Sequence, residues 1–428
     1  MKPGKALMHQ KTTLPNGLRI LTESMPHTRS VSVSFFIGAG SRYEPPERAG
    51  VSHFVEHLCF KGTERRGSAR EVSEAIEGVG GLLNGGTDRE MTIYWSKIAR
   101  PHFAAALDVL VDMLRHSKFE NGEVEKERKV IIEELNASYD SPYQRANMLI
   151  DEVIWPGQPL GRDVAGSKET VTGLSRQMVL DYCKQQYSPT NTVVSVAGEV
   201  IHEEVASALG EAMGDWPAAG PAPLFPAQDG QSAPQLRVEY RKSEQAHLCL
   251  AVRGLPSLHP DRFTLDLLNV ILGEGMSSRL FLAVREEQGL AYDVHSYVSH
   301  LLDSGSVVLY AGVDPKVVER AIAALLGEMR RLREEPVPPE ELTKSKELSK
   351  GRLLLRMEDT RSVSGWMGAQ ELLTDHVLTV DDVVRSIDSV TPQDIQRVAR
   401  ELFVSEKLNL AIVGPFRSER RFQSLLGI

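Results

Sequence analysis

The sequence predicts an α+β fold made twice: two duplicated domains, each a mainly antiparallel sheet packed with helices, joined by a proline-rich linker. Three observations carry this. Helical and strand patterns are interspersed through both halves. From Trp216 to Pro234 the composition shifts to Pro217, Pro221, Pro223, Pro226 and Pro234 among Ala, Gly and Ser, which reads as an extended connection. Finally, landmarks recur at one offset of 216 residues: helix caps at Ser175 and Thr391, helix ends at Tyr187 and Phe403, strand ends at Gly198 and Gly414. That period is far longer than a solenoid repeat and marks a duplicated unit. The expected division is 1–215, a linker at 216–235, and 236–428.

In chain order, Gly17 to Ser24 reads as a strand. Val31 to Ile37 is a second, more apolar strand closed by Gly38-Ala39-Gly40-Ser41. Pro45-Pro46 precede a helix over the 51–58 stretch. Ser68 is an N-cap with Glu71 as its capping-box partner, and this helix ends at Gly78-Val79-Gly80-Gly81. Leu82 to Thr87 is an edge-like strand and Met91 to Ser96 its neighbour. Helices follow at about 101–115, 122–139 and 143–153, with Ser175 capping another before the strand 191–198. After the linker, Leu236-Arg237-Val238 echoes Leu18-Arg19-Ile20, and 247–252 echoes 31–36.

Composition narrows the function. The 428 residues, 41% hydrophobic, provide for a substantial core and more than one domain. With 58 acidic and 49 basic residues the chain lacks the basic balance that nucleic acid requires. Cys59, Cys183 and Cys249 are too few and too scattered for a disulfide framework and read as buried thiols. The first ten residues lack a signal-peptide apolar core, and no run approaches the ~18 apolar residues of a membrane span. A cytoplasmic protein with no membrane partner is expected.

The chemistry concentrates in His53-Phe54-Val55-Glu56-His57. On a helix, residues four apart share a face, so His53 and His57 can chelate one metal ion. Glu56 lies beside them and can take a proton from water. This H-x-x-E-H order is the inverzincin arrangement. Hydrolytic zinc takes three protein ligands, so a third is needed. Glu127 and Glu134 are two turns apart on the next suitable helix, and apolar Val130 and Ile131 mark their side as buried. Buried carboxylates need partners: a metal for one, a ligand imidazole for the other. A solvated charged helix is the competing reading.

Several motifs together resemble the pitrilysin family of zinc peptidases, most of all its processing-peptidase-like bacterial branch. They are His53-x-x-Glu56-His57 with Glu127 and Glu134, then Gly80-Gly81-x-x-Asn84-x-x-Thr87, then Arg285-Glu286-x-x-Gly289-Leu290-Ala291-Tyr292. The resemblance covers about Leu18 to Gly414. One departure is Gly85, where the family usually has alanine. The resemblance implies one Zn²⁺ per chain on His53, His57 and Glu134, with Glu127 supporting a ligand and Glu56 as general base. It implies Arg285 and Tyr292 at the substrate carbonyl, and Asn84, Gly85 and Thr87 binding an extended peptide as an added strand. Without it, Arg285 reads as a surface charge, Tyr292 as a strand aromatic and 84–87 as a glycine-rich turn. The implied activity is a metalloendopeptidase cleaving peptides or unfolded segments in an enclosed chamber. A homodimer is expected, with the Arg285–Tyr292 pair of one copy facing the zinc residues of the other. The alternative is a non-catalytic scaffold or partner subunit. The second domain is expected to be metal-free: 261–272, the counterpart of the motif helix, has no histidine, and Lys350 stands where the offset carries Glu134.

Overall fold

The computed structural model describes residues 9–428, so the reading of the extreme N-terminus falls mostly outside the described residues. The chain runs β1 (Gln10–Thr13), β2 (Arg19–Ser24), β3 (Ser30–Ile37), α1 (Val51–Cys59), α2 (Ala69–Glu77), β4 (Leu82–Thr87), β5 (Thr92–Ala99), α3 (Phe103–His116), α4 (Asn121–Asp140) and α5 (Pro142–Ile154). It continues as α6 (Lys168–Gly173), α7 (Arg176–Gln186), β6 (Thr192–Gly198) and α8 (His202–Met213). After the connection come β7 (Gln235–Tyr240), β8 (Ala246–Arg253), α9 (Arg262–Gly273), β9 (Ala291–His300), β10 (Gly305–Val313), α10 (Val318–Glu334) and α11 (Pro339–Arg356). The chain closes with α12 (Thr360–Thr374), α13 (Val380–Ser389), α14 (Pro392–Leu402), β11 (Asn409–Gly414) and α15 (Arg420–Gln423).

The first unit holds a six-stranded sheet in the order β1-β2-β6-β3-β5-β4. Only the β2–β6 pair is parallel. The second holds five strands in the order β7-β11-β8-β10-β9, and only β7–β11 is parallel. Setting β1 aside, the two sheets have the same order. The duplication extends to the caps. Ser175 Oγ accepts from Met178 N–H and Thr391 Oγ1 from Asp394 N–H, both at 3.2 Å. In central β3 and β6 nearly every residue is buried, as strands covered on both faces require. Nearer the edge, β5 alternates, burying Thr92, Tyr94, Ser96 and Ile98.

The units are not contiguous halves, which corrects the division at 216–235. The first comprises residues up to 135, 163–225 and 353–381; the second comprises 136–162, 226–352 and 382–428. Each sheet takes one covering helix from across the linker. On the second sheet, Ala146, Leu149 and Ile150 of α5 join a core with Cys249, Ala251 and Val413. On the first, α12 lies on β3 and β6. Ser364 Oγ donates to Ser195 O at 2.9 Å and shares a hydrogen bond with Ser34 Oγ at 2.8 Å, and Thr360 Oγ1 bonds Ser30 and Ser32 Oγ at 3.1 Å. Gly368 brings this helix so close to Phe36 that a Cβ would sit 2.1 Å from the ring. Composition marks the linker but does not say which sheet a helix covers.

Candidate metal centre

The motif helix α1 is held at its N-terminus by a borrowed cap. Gly50 has φ +93°, and a Cβ there would meet Ala165 O at 2.4 Å, so the turn admits only glycine. Gly50 offers no side chain, and the Glu44 carboxylate substitutes, accepting from Gly50 N–H at 2.8 Å and Ser52 N–H at 2.7 Å. A negative charge there also suits the helix dipole. Ser52 Oγ pairs with Tyr182 of α7 at 2.6 Å. Val51, Phe54, Val55 and Leu58 are buried, which leaves His53 and His57 together on the half-buried side.

The two imidazoles converge. Their Nε2 atoms stand 3.2 Å apart, and Glu134 Oε2 of α4 lies 3.9 Å from His53 Nε2 and 3.6 Å from His57 Nε2. Donors at ~2.0–2.1 Å around a tetrahedral centre stand roughly 3.3 Å apart, so these three atoms fit a zinc site. Among the described residues, His53, Glu56 and His57 form the one group of three potential ligands clustered within 4.8 Å. Behind them Glu127 Oε2 accepts from His57 Nδ1 at 3.1 Å, and its Oε1 receives Lys61 Nζ at 2.8 Å. The hydrogen held at Nδ1 leaves the Nε2 lone pair of His57 to face its neighbours.

Electrostatics agree with this assignment. Burial, with His57 beside it, pushes His53 down to about 4, so its ring is neutral and able to ligate. Burial works to lower His57 too, but the bond to Glu127 and the Glu134 and Glu56 carboxylates hold it above its ordinary value. Burial, reinforced by Glu134, raises Glu56 against the opposing pull of His57 and a hydrogen bond with Thr87. A raised carboxyl is a better proton acceptor near neutral pH. Burial also acts to raise Glu127, but the bonds from His57 and Lys61 win and hold it below the usual carboxylate range.

The structure places the other expected residues as follows. On α4 the buried stripe is Val124, Glu127, Ile131 and Leu135; Val130, read as buried, is 42% exposed, and Glu134 sits at the stripe's margin. Asn84, Gly85 and Thr87 lie on β4, an edge strand as read. Asn84 Oδ1 accepts from Gly85 N–H at 2.7 Å. Gly85 and Thr87 also reach the histidine cluster: a Cβ at 85 would sit 2.8 Å from Glu56 Oε1 and 3.0 Å from the Phe60 ring. Lys61 escaped the sequence reading, although its position four residues after His57 was a signal.

Arg285 and Tyr292 belong to the second unit. A π-helical segment, Phe281–Glu287, carries Arg285. Its guanidinium lies 4.8 Å from the Phe281 ring centroid and 5.2 Å from that of Tyr292, which is 78% exposed. In the same unit Lys350 pairs with Glu347 at 2.7 Å and Asp388 at 2.8 Å.

The chain as a whole is similar to known proteins. Residues 19–168 match the family model described as insulinase (peptidase family M16), and 173–349 match the peptidase M16 inactive domain. A Bacillus subtilis protein named as an uncharacterized zinc protease, YmxG, is 36% identical over 95% of this chain and 98% of its own length. Another of that description from Streptomyces coelicolor is 36% identical over 96% of this chain and 90% of its own. Among solved structures, a protease from Helicobacter pylori superposes with a TM-score of 0.90 at 22% identity, over 95% of this chain and 99% of that one. A peptidase M16 inactive domain from Pseudomonas fluorescens gives 0.88 at 16%, over 96% and 99%. These two likenesses speak to the fold.

Proposed function

The chain belongs to the M16 family of peptidases, the insulinase or pitrilysin group, and from that premise we propose that it is a zinc-dependent metalloendopeptidase. The observation that carries the proposal is the convergence of His53 Nε2, His57 Nε2 and Glu134 Oε2 beside the buried Glu56 carboxyl. His53, His57 and Glu134 would hold one Zn²⁺. When bound, zinc lowers the pKa of water and polarises the scissile carbonyl.

The chain's own groups do the rest. Glu56 accepts a proton from the attacking water at its carboxylate and delivers it to the departing amine nitrogen. The Thr87 bond and the packing of Gly85 fix where that carboxylate points. The open edge of β4 receives an extended peptide as an added strand, displacing Asn84 Oδ1 from Gly85 N–H. The substrate is therefore a peptide or an unfolded segment, taken into an enclosed chamber. Tyr292 donates its hydroxyl to the developing oxyanion, and Arg285, packed on the Tyr292 ring, braces it.

The match of 173–349 to an inactive domain does not oppose this, since that segment contains none of His53, Glu56, His57 and Glu134. Cleavage of a mixed peptide library by the zinc-loaded protein tests the reading. Loss of cleavage with chelator and in Glu56→Gln supports it; zinc-independent cleavage overturns the metal mechanism, and absent cleavage favours a scaffold. We further propose a homodimer in which Arg285 and Tyr292 of one copy serve the zinc residues of the other. Mixing Glu56→Gln with Tyr292→Phe chains should then restore one intact site per mixed dimer. No recovery on mixing overturns the sharing.

A further inference from the structure

We propose that Lys61 is a positioning residue for the metal centre: by engaging Glu127 Oε1 at 2.8 Å it aims Oε2 at His57 Nδ1, 3.1 Å away, and so sets the ring that presents Nε2 to the metal. The proposal rests on His53, His57 and Glu134 being metal ligands.

Glu127 is 4% exposed. A carboxylate that deeply buried needs both oxygens satisfied, and here one neighbour takes each. If Oε1 loses its partner, the carboxylate is free to rotate about its last bond toward solvent, carrying Oε2 away from His57. The imidazole then keeps its helix position but loses the bond that fixes its rotation. Lys61 is well placed for this because it lies just beyond the end of α1. Its N–H bonds Leu58 O at 3.1 Å, which ties its backbone to the motif helix while its ammonium reaches back to α4. The clamp thus joins the two helices that supply the ligands. Arg128, the neighbour of Glu127, turns away to carbonyls at Val171, Thr172 and Leu174 and leaves this role to Lys61.

Zinc affinity, measured by competition with a chromophoric chelator, is the test. Lys61→Met should weaken zinc 10- to 100-fold, the usual effect of removing a group that supports a ligand. Lys61→Arg should restore most of the affinity, and Lys61→Gln, which keeps a neutral donor, should fall between. In a Glu127→Gln background, Lys61→Met should add less than about twofold, because its route to the metal is already cut. A second readout needs no metal: the ring-nitrogen NMR signal of His57 in zinc-free protein should show the Nδ1–H held in the native chain and released in Lys61→Met. If all three variants hold zinc within twofold of the native chain, or if the Lys61→Met loss persists undiminished with Glu127→Gln, the proposal is overturned. If the native chain binds no zinc, the metal reading fails, and the NMR comparison still decides whether Lys61 sets His57.

Discussion

Replacing Gly368 by alanine should dislodge α12 from the first sheet, and the size of the effect can be worked out. A Cβ at 368 would lie 2.1, 2.3 and 2.9 Å from Phe36 Cε2, Cδ2 and Cζ, where ordinary carbon contacts are ~3.5–4.0 Å. Phe36 is 1% exposed, so the ring has no route out, and the helix must rise by more than an ångström. That motion stretches the Ser364 bonds to Ser34 and Ser195 and the Thr360 bonds to Ser30 and Ser32. Overpacking costs about 1–3 kcal/mol, and each hydrogen bond lost costs about 0.5–1.5 kcal/mol. Against this, alanine gains about 1 kcal/mol over glycine inside a helix. With two of these four bonds lost, the net is a loss of roughly 1–5 kcal/mol, or a melting temperature lower by roughly 2–20 °C for a domain this size. Gly365→Ala, one turn earlier, is the control. Its Cβ would meet only the tip of Arg361, which can swing aside, so it should keep the helix gain. Thermal melting by circular dichroism, with urea unfolding of both variants, measures the difference. If Gly368→Ala unfolds within ~0.5 kcal/mol of Gly365→Ala, the tight seating of α12 on β3 is wrong.

Three further outcomes are expected. Zinc binds neutral imidazole, and His57 is held above its ordinary value, so zinc affinity should fall about tenfold per pH unit once pH drops below that raised value; titrations in buffers of different ionisation enthalpy should show one proton released there, and no release would refute it. Burial pushes Glu23 up to about 7, and its Oε2 has no partner, so the folded state holds a proton the unfolded chain has lost. Stability should therefore decline by up to ~3 kcal/mol between about pH 4.5 and 7 on account of this residue, and Glu23→Gln should remove that part of the slope in denaturant titrations. Gly85→Ala would push a methyl to 2.8 Å from Glu56 Oε1 and 3.0 Å from Phe60; turnover should drop roughly tenfold through misplacement of the base while zinc affinity stays put, and native turnover would show that the carboxylate finds an equivalent pose.

The local elements and the site's nearest groups were legible because their rules are local. Caps at Ser68, Ser175 and Thr391 and the one-turn spacing of His53 and His57 need only the helix period. That one α4 carboxylate would bond a ligand imidazole follows from the need to satisfy buried charge; the resemblance implies that it is Glu127, and the structure supplies its partner, His57. Misreadings arose where the answer depends on what packs outside the segment. Val130 is apolar yet exposed, because the buried stripe of α4 runs through Val124, Glu127, Ile131 and Leu135 instead. Gly85 is read from the sequence for substrate binding alone, and only the packing shows that its missing side chain also clears space for Glu56. Lys61 stands four residues after His57, but that spacing assigns it no role until Glu127 is seen to have a second oxygen to satisfy. The exchange of α5 and α12 between units left no mark on periodicity, since either helix would look the same on either sheet.

That exchange sets a timetable for synthesis. When β6 is complete at Gly198, its face and that of β3 still lack α12, which ends at Thr374. At ~5–20 residues per second the ribosome needs roughly 10–35 s to deliver it. Meanwhile α5 is already made, and its apolar side, with Ala146, Leu149 and Ile150, waits for β8 and, last of all, β11. A nascent chain of this design carries two unfinished sheets at once and can complete neither before most of its length has emerged. A gene split at the linker would yield two fragments that each contain a helix the other requires.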